Sequence, residues 1–116
     1  MTLAKKKCIP CHTKMRKFTR EEAEEFLEQL PGWDLSEDLH LLRSYKFKDF
    51  SQAMKRANKI ASIADEQEHH PDITVSWGKL SIELWTHFTK GLTENDFILA
   101  AKIEELNNNE PNKERI

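Results

Sequence analysis

Apolar residues recur at helical spacing in three stretches of the chain and alternate with polar residues in two others. Ala23, Phe26, Leu27 and Leu30 form an i, i+3, i+4, i+7 stripe. Thr19 and Glu22 precede it at capping-box spacing, and Phe18 with Ala23 is placed to act as a hydrophobic staple. Pro31-Gly32 stops that helix. A second stripe runs Phe50, Ala53, Met54, Ala57, Ile60, Ala61 and Ala64, with Asp49 as its N-cap. Pro71 bars it from passing His69 or His70. A third helix opens at Thr93 and carries Leu99, Ala100, Ile103 and Leu106 on one side, with a polar tail from Asn107.

Strand signals fill the gaps. Leu39, Leu41, Tyr45 and Phe47 alternate after a Ser36-Glu37-Asp38 turn, and Trp33 to Leu35 forms the partner strand. Ile73, Val75 and Trp77 alternate before Gly78-Lys79, and Leu80, Ile82 and Leu84 alternate after it, which predicts a type II′ hairpin with glycine first in the loop. The order α-β-β-α-β-β-α predicts an α+β fold: a four-stranded antiparallel sheet with three helices on one face. Ile73, Val75, Trp77, Leu80, Ile82 and Leu84 are then the residues turned toward the helices.

A chain of 116 residues holds one such core. The expected division is an arm over residues 1–17, a domain over 18–106 and a polar tail over 107–116. The first 20 residues carry seven basic side chains and no acid, which leaves 11 basic against 20 acidic on the rest. The arm lacks a nucleic-acid-binding pattern, so the expectation is a solvated, mobile terminus. No apolar run is long enough for a membrane span and no secretory signal is visible, so the expected location is the cytoplasm.

The hairpin gathers the candidate chemistry. With Gly78-Lys79 as the loop, Val75 faces Ile82, and extension of the ladder puts His70 opposite His87 on one face. His69 adjoins them at the end of the second helix, whose last turn carries Asp65, Glu66 and Glu68. Carboxylates there oppose the helix dipole and favour imidazolium nearby, a local rule broken where a functional site is expected. Each residue also has a plain structural role: His69 and His70 as helix-ending cations, His87 as an exposed strand residue, Asp96 as the capping-box acid three residues after Thr93. Zinc is disfavoured because adjacent histidines diverge and there is no H-x-x-x-H pair.

Taken together these residues resemble the pterin-4a-carbinolamine dehydratase family. The family pattern is an acidic residue, three intervening positions, His-His-Pro, an aromatic, a His and an Asp. Here it reads Asp65, His69-His70-Pro71, Trp77, His87 and Asp96, and the element order is similar too. The resemblance implies elimination of water from a 4a-hydroxytetrahydropterin to give quinonoid dihydropterin in tetrahydrobiopterin recycling, by imidazole acid/base chemistry without metal or organic cofactor. It implies His69 and His87 as the acid/base pair and His70 as a substrate-positioning residue. It also implies Asp96 as an orienting residue and Pro71 and Trp77 as shapers of the pocket, with Trp77 packing on the core-facing set. Asp65 stands where many relatives have glutamate. Expected partners are the pterin, an aromatic amino acid hydroxylase upstream, and further copies of the chain in a homodimer or homotetramer.

Two rival readings stand beside this one. Some family members act as dimerisation partners of a transcription factor, so a non-catalytic binding module of the same fold is the alternative. Cys8, Cys11 and His12 also have the C-x-x-C-H spacing of covalent haem, or of a zinc or redox role; otherwise they are exposed groups on a loose arm.

Overall fold

The computed structural model describes residues 3–6, 8 and 16–109. Helix α1 spans Arg20–Leu27, strands β1 and β2 span Asp34–Leu35 and Leu41–Lys46, and helix α2 spans Phe50–Gln67. Strands β3 and β4 span Asp72–Ser76 and Lys79–Leu84, and helix α3 spans Glu94–Asn109. The strands form one antiparallel sheet in the order β1-β2-β4-β3.

Local chemistry sets the boundaries. The Thr19 hydroxyl accepts from the Glu22 N–H while the Glu22 carboxylate accepts from the Thr19 N–H, a complete capping box. Arg16 also donates to Glu22, and its hydrogen bond, aided by that of the Thr19 N–H, holds the Glu22 carboxyl down to about 2. Asp49 caps α2 by accepting from the Gln52 N–H at 2.9 Å.

The alternation in β2 and β4 sorts the sheet into two faces. Leu41, Tyr45, Leu80, Ile82 and Leu84 are buried on the face that meets Ala53, Ala57 and Ile60 of α2 and Phe97, Ala100 and Ile103 of α3. Phe18 and Phe26 pack on Phe97 with centroids 5.5 and 5.3 Å away, which ties α1 to α3. On the same face Glu104 of α3 accepts from Trp33 Nε1–H, Arg43 Nε–H and the Tyr45 hydroxyl at 2.9, 2.8 and 2.5 Å. Burial acts to raise the Glu104 carboxyl, but these donors outweigh it and hold the group below its ordinary value.

Several expectations need correction. The loop of the second hairpin is Trp77-Gly78, not Gly78-Lys79: Ser76 pairs with Lys79, Val75 with Leu80 and Ile73 with Ile82. The positive φ of 72° therefore falls on the second loop residue, and a type II′ turn is ruled out. The slip is two residues, so each side chain keeps its face but changes its partner. Trp77 leaves the strand altogether and is 73% exposed rather than packed on the core. Leu39 lies not in a strand but in the turn before β2, at φ 63°. Helix α3 runs to Asn109, past the Asn107 where the polar tail was expected to begin.

The first described stretch of the basic arm, Leu3 to Lys6, lies on α3. Leu3 is buried, Lys102 Nζ donates to the Ala4 carbonyl, and Lys6 pairs with Glu94. Cys8 is half-buried instead of exposed, with its N–H on Gln67 Oε1 and its thiol 3.6 Å from the Asn95 carbonyl. Cys11 and His12 lie outside the described residues.

Candidate active site

The site forms where four elements end. Helix α2 closes through Glu68 in the left-handed region (φ 55°, ψ 40°), with the His69 N–H on the Ala64 carbonyl and the Glu68 N–H on the Asp65 carbonyl. This is a Schellman closure with glutamate where glycine is usual. The reversal turns His69 inward and His70 outward. His69 is 5% exposed, whereas His70 lies at the surface with Nε2 3.0 Å from Asp65 Oδ1, itself exposed.

Asp96 sits in the first turn of α3 and is fully buried. Its Oδ1 is 2.6 Å from His69 Nε2, and its Oδ2 accepts from the Thr86 hydroxyl at 2.8 Å and the Thr93 N–H at 2.9 Å. The Thr86 hydroxyl and the Thr93 N–H both donate to Oδ2, and a carboxylate only accepts, so Oδ1 takes Nε2–H from His69. Thr86 spends its only hydrogen on Asp96, so the Thr93 hydroxyl 2.9 Å away must donate to Thr86. Nδ1 of His69 makes no hydrogen bond among the described residues. Because no buried polar side-chain atom there lacks a partner, Nδ1 keeps some exposure, on a residue that lines the cleft.

Beyond β4 the chain makes a tight loop closed by Thr86 and Gly91, each N–H on the other's carbonyl. His87 lies in that loop, not on a strand, and its ring stacks on Trp85 at 4.3 Å. Glu68, His69, His70, Trp85 and His87 line an open cleft of about 170 Å³. Burial, and after it the Asp96 charge, pushes the Cys8 thiol behind this site up to about 12. Among the described residues no group of three His, Cys, Asp or Glu side chains is placed to hold a metal ion.

The structure thus brings together His69, His70, His87, Asp65 and Asp96, with Pro71 opening the run into β3. It does not bring Trp77 to the cleft, because the six steps from Pro71 to Trp77 cover roughly 20 Å of extended chain. The corrected register places Trp85, not His87, opposite His70. The sequence did not single out Thr86 or Trp85 as site residues, since neither belongs to a motif. Trp85 was reachable only through the right register.

A family model for pterin 4 alpha carbinolamine dehydratase matches residues 16–106. The chain belongs to the pterin-4a-carbinolamine dehydratase family. A Rickettsia bellii protein provisionally named pterin-4-alpha-carbinolamine dehydratase is 48% identical over 92% of this chain and 96% of its own length. The crystal structure of a transcriptional coactivator/pterin dehydratase from Brucella melitensis is 33% identical, with a TM-score of 0.74 over 78% of this chain and 98% of that one. A pterin dehydratase-like RuBisCO assembly factor of the alpha-carboxysome shares the fold at 18% identity, with a TM-score of 0.51 over 84% of this chain and 93% of that one. No helix among the described residues is long and apolar enough to cross a membrane.

Proposed function

We propose that the cleft dehydrates 4a-hydroxytetrahydropterin to quinonoid dihydropterin. The observation that carries this reading is the buried His69–Asp96 pair, which leaves one imidazole nitrogen facing a cleft that His87 also lines. The C4a–O bond breaks, the N5–H electron pair becomes the C4a=N5 double bond, and the leaving hydroxyl takes a proton to depart as water. His69 Nδ1 accepts the N5 proton, and Asp96 stabilises the imidazolium that forms through the Nε2–H bond. His87, at the open side of the cleft, protonates the leaving oxygen. His70, tied to Asp65, positions the pterin, and Pro71 fixes the chain that carries it. The reaction needs neither metal nor organic cofactor.

The proposed setting is the cytoplasm, where an aromatic amino acid hydroxylase would supply the substrate and the product would re-enter tetrahydrobiopterin recycling. The proposed unit is residues 18–106 as a homodimer or homotetramer. The edge strands β1 and β3 and the exposed Phe50, Met54, Trp77 and Phe88 offer contact surfaces. Those same residues, and the Brucella relative's description as a transcriptional coactivator, favour a second reading, a non-catalytic protein-binding module.

Turnover of freshly made 4a-hydroxytetrahydropterin separates the two. His69→Ala and His87→Ala should each lower kcat by roughly 10²–10⁴-fold in folded protein, His87→Ala without loss of stability and His69→Ala with a lowered Tm because it leaves the buried Asp96 short of a donor. Wild-type turnover no faster than buffer, together with recovery of a stoichiometric protein partner, would select the second reading.

A further inference from the structure

We infer that His40, anchored by Glu83, is a positioning residue that fixes the plane of Trp85 and through it the imidazole of His87; this rests on the reading of the cleft as a dehydratase site. His40 lies one rung beyond the Leu41–Leu84 pair, opposite Trp85. The two rings stack with centroids 4.1 Å apart and planes 5° apart. His87 stacks on the same indole at 4.3 Å and 19°. Two imidazoles this close to one centroid have no room to lie side by side on one face, so they sandwich the indole.

The far side of this sandwich is the better anchored one. His40 Nδ1–H donates to Glu83 Oε2 at 2.6 Å, and its backbone is held by the Ser36 turn through the Ser36 N–H and Oγ. The His40 side chain is only 18% exposed. The His87 ring, by contrast, is exposed and makes no hydrogen bond among the described residues. Stacking is therefore the contact that restrains it. Order runs from Glu83 to His40, across Trp85, to the group that touches substrate.

The test compares wild type with His40→Ala, which removes the outer ring, and His40→Phe, which restores a flat ring without the Glu83 bond. Two readouts are taken: kcat and KM on 4a-hydroxytetrahydropterin, and the NMR shifts of the His87 ring protons, assigned by their loss in His87→Ala. In wild type the Trp85 ring current displaces those protons. His40→Ala should lose part of that displacement and lower kcat about three- to ten-fold, the bias one stacked aromatic pair provides, with KM within two-fold. His40→Phe should recover part of both, short of wild type because the Glu83 anchor is gone. Unaltered His87 shifts in His40→Ala, or altered shifts with unchanged kcat, overturn the inference. Wild-type protein without turnover overturns the dehydratase reading and the inference with it, a separate outcome because the ring shifts need no substrate.

Discussion

Replacing Asp96 with asparagine keeps the side-chain shape and reverses the polarity of its contact with His69. The wild-type carboxylate accepts three hydrogen bonds in full burial: from His69, the Thr86 hydroxyl and the Thr93 N–H. Asparagine can keep the last two by turning its carbonyl toward them, but they fall from charge-assisted to neutral strength, a loss of roughly 1 kcal/mol each. Its amide then points hydrogens at His69 Nε2, and the imidazole must move its own proton to Nδ1. The nitrogen facing the cleft ceases to be a base. The expected result is about 2 kcal/mol of lost stability, roughly 8 °C in Tm for a chain of this size, and a kcat reduced about 10²–10⁴-fold in still-folded protein. Asp96→Ala is less informative, because three stranded donors would cost about 3–5 kcal/mol and confuse unfolding with lost chemistry. The assay is quinonoid dihydropterin formation at a temperature well below the variant's Tm. An Asn variant with wild-type kcat would refute the assignment of His69 Nδ1 as base, and one whose loss of turnover only follows its melting curve would reduce Asp96 to a structural cap.

Other regions give sharp expectations. Glu68→Gly should raise stability by about 0.5–1 kcal/mol in thermal melts, because only the αL strain of a residue with a Cβ is removed. Glu104→Ala should cost about 2–4 kcal/mol, since it leaves Trp33, Arg43 and Tyr45 without their shared acceptor. The Glu104 carboxyl is held below its ordinary value, so its contribution is present above the unfolded carboxylate pKa and lost as pH falls through the lowered folded one. Wild type should therefore lose Tm over that acid window more steeply than Glu104→Gln. In a Cys11→Ser background the Cys8 thiol, pushed up to about 12, should react with a disulfide reagent at pH 8 about 10³-fold more slowly than a free cysteine and regain speed in denaturant.

The element order and most helix boundaries were legible because caps and periodicity are local. Thr19 and Glu22 form the predicted capping box, and Asp49 is the predicted N-cap, accepting from the Gln52 N–H. Hairpin register was legible only to a two-residue slip. The alternation of Ile73, Val75 and Trp77 drew the indole into the strand, and nothing in the sequence distinguishes Trp77-Gly78 from Gly78-Lys79 as the loop. Faces survive such a slip because side chains repeat every second residue, whereas partners do not. His70 and His87 still reach one cleft, but Trp85 takes the place assigned to His87 across the ladder. Histidine convergence was thus readable while the stacking that orders it was not.

Asp96 shows why the site lies at the junction of elements. Its spacing from Thr93 is that of a capping acid, and it does accept the Thr93 N–H. The same carboxyl reaches His69 across 27 positions of sequence. A cap needs its acid against the first turn of α3, and packing α3 against the end of α2 puts His69 within reach of that acid. The helix dipole of α3 and the Thr86 hydroxyl stabilise negative charge on this carboxyl, the charge that the proposed imidazolium would need. One residue therefore answers to two constraints at once, and the cost of burying it is met by the fold before any substrate arrives. Glu68 stands in the same position: the strained αL geometry is tolerated because it parts His69 from His70, one toward Asp96 and the other toward the open cleft. A substitution that moved α3 off its cap, or took Glu68 out of the αL region, would leave the fold recognisable while separating the groups that the proposed chemistry needs together.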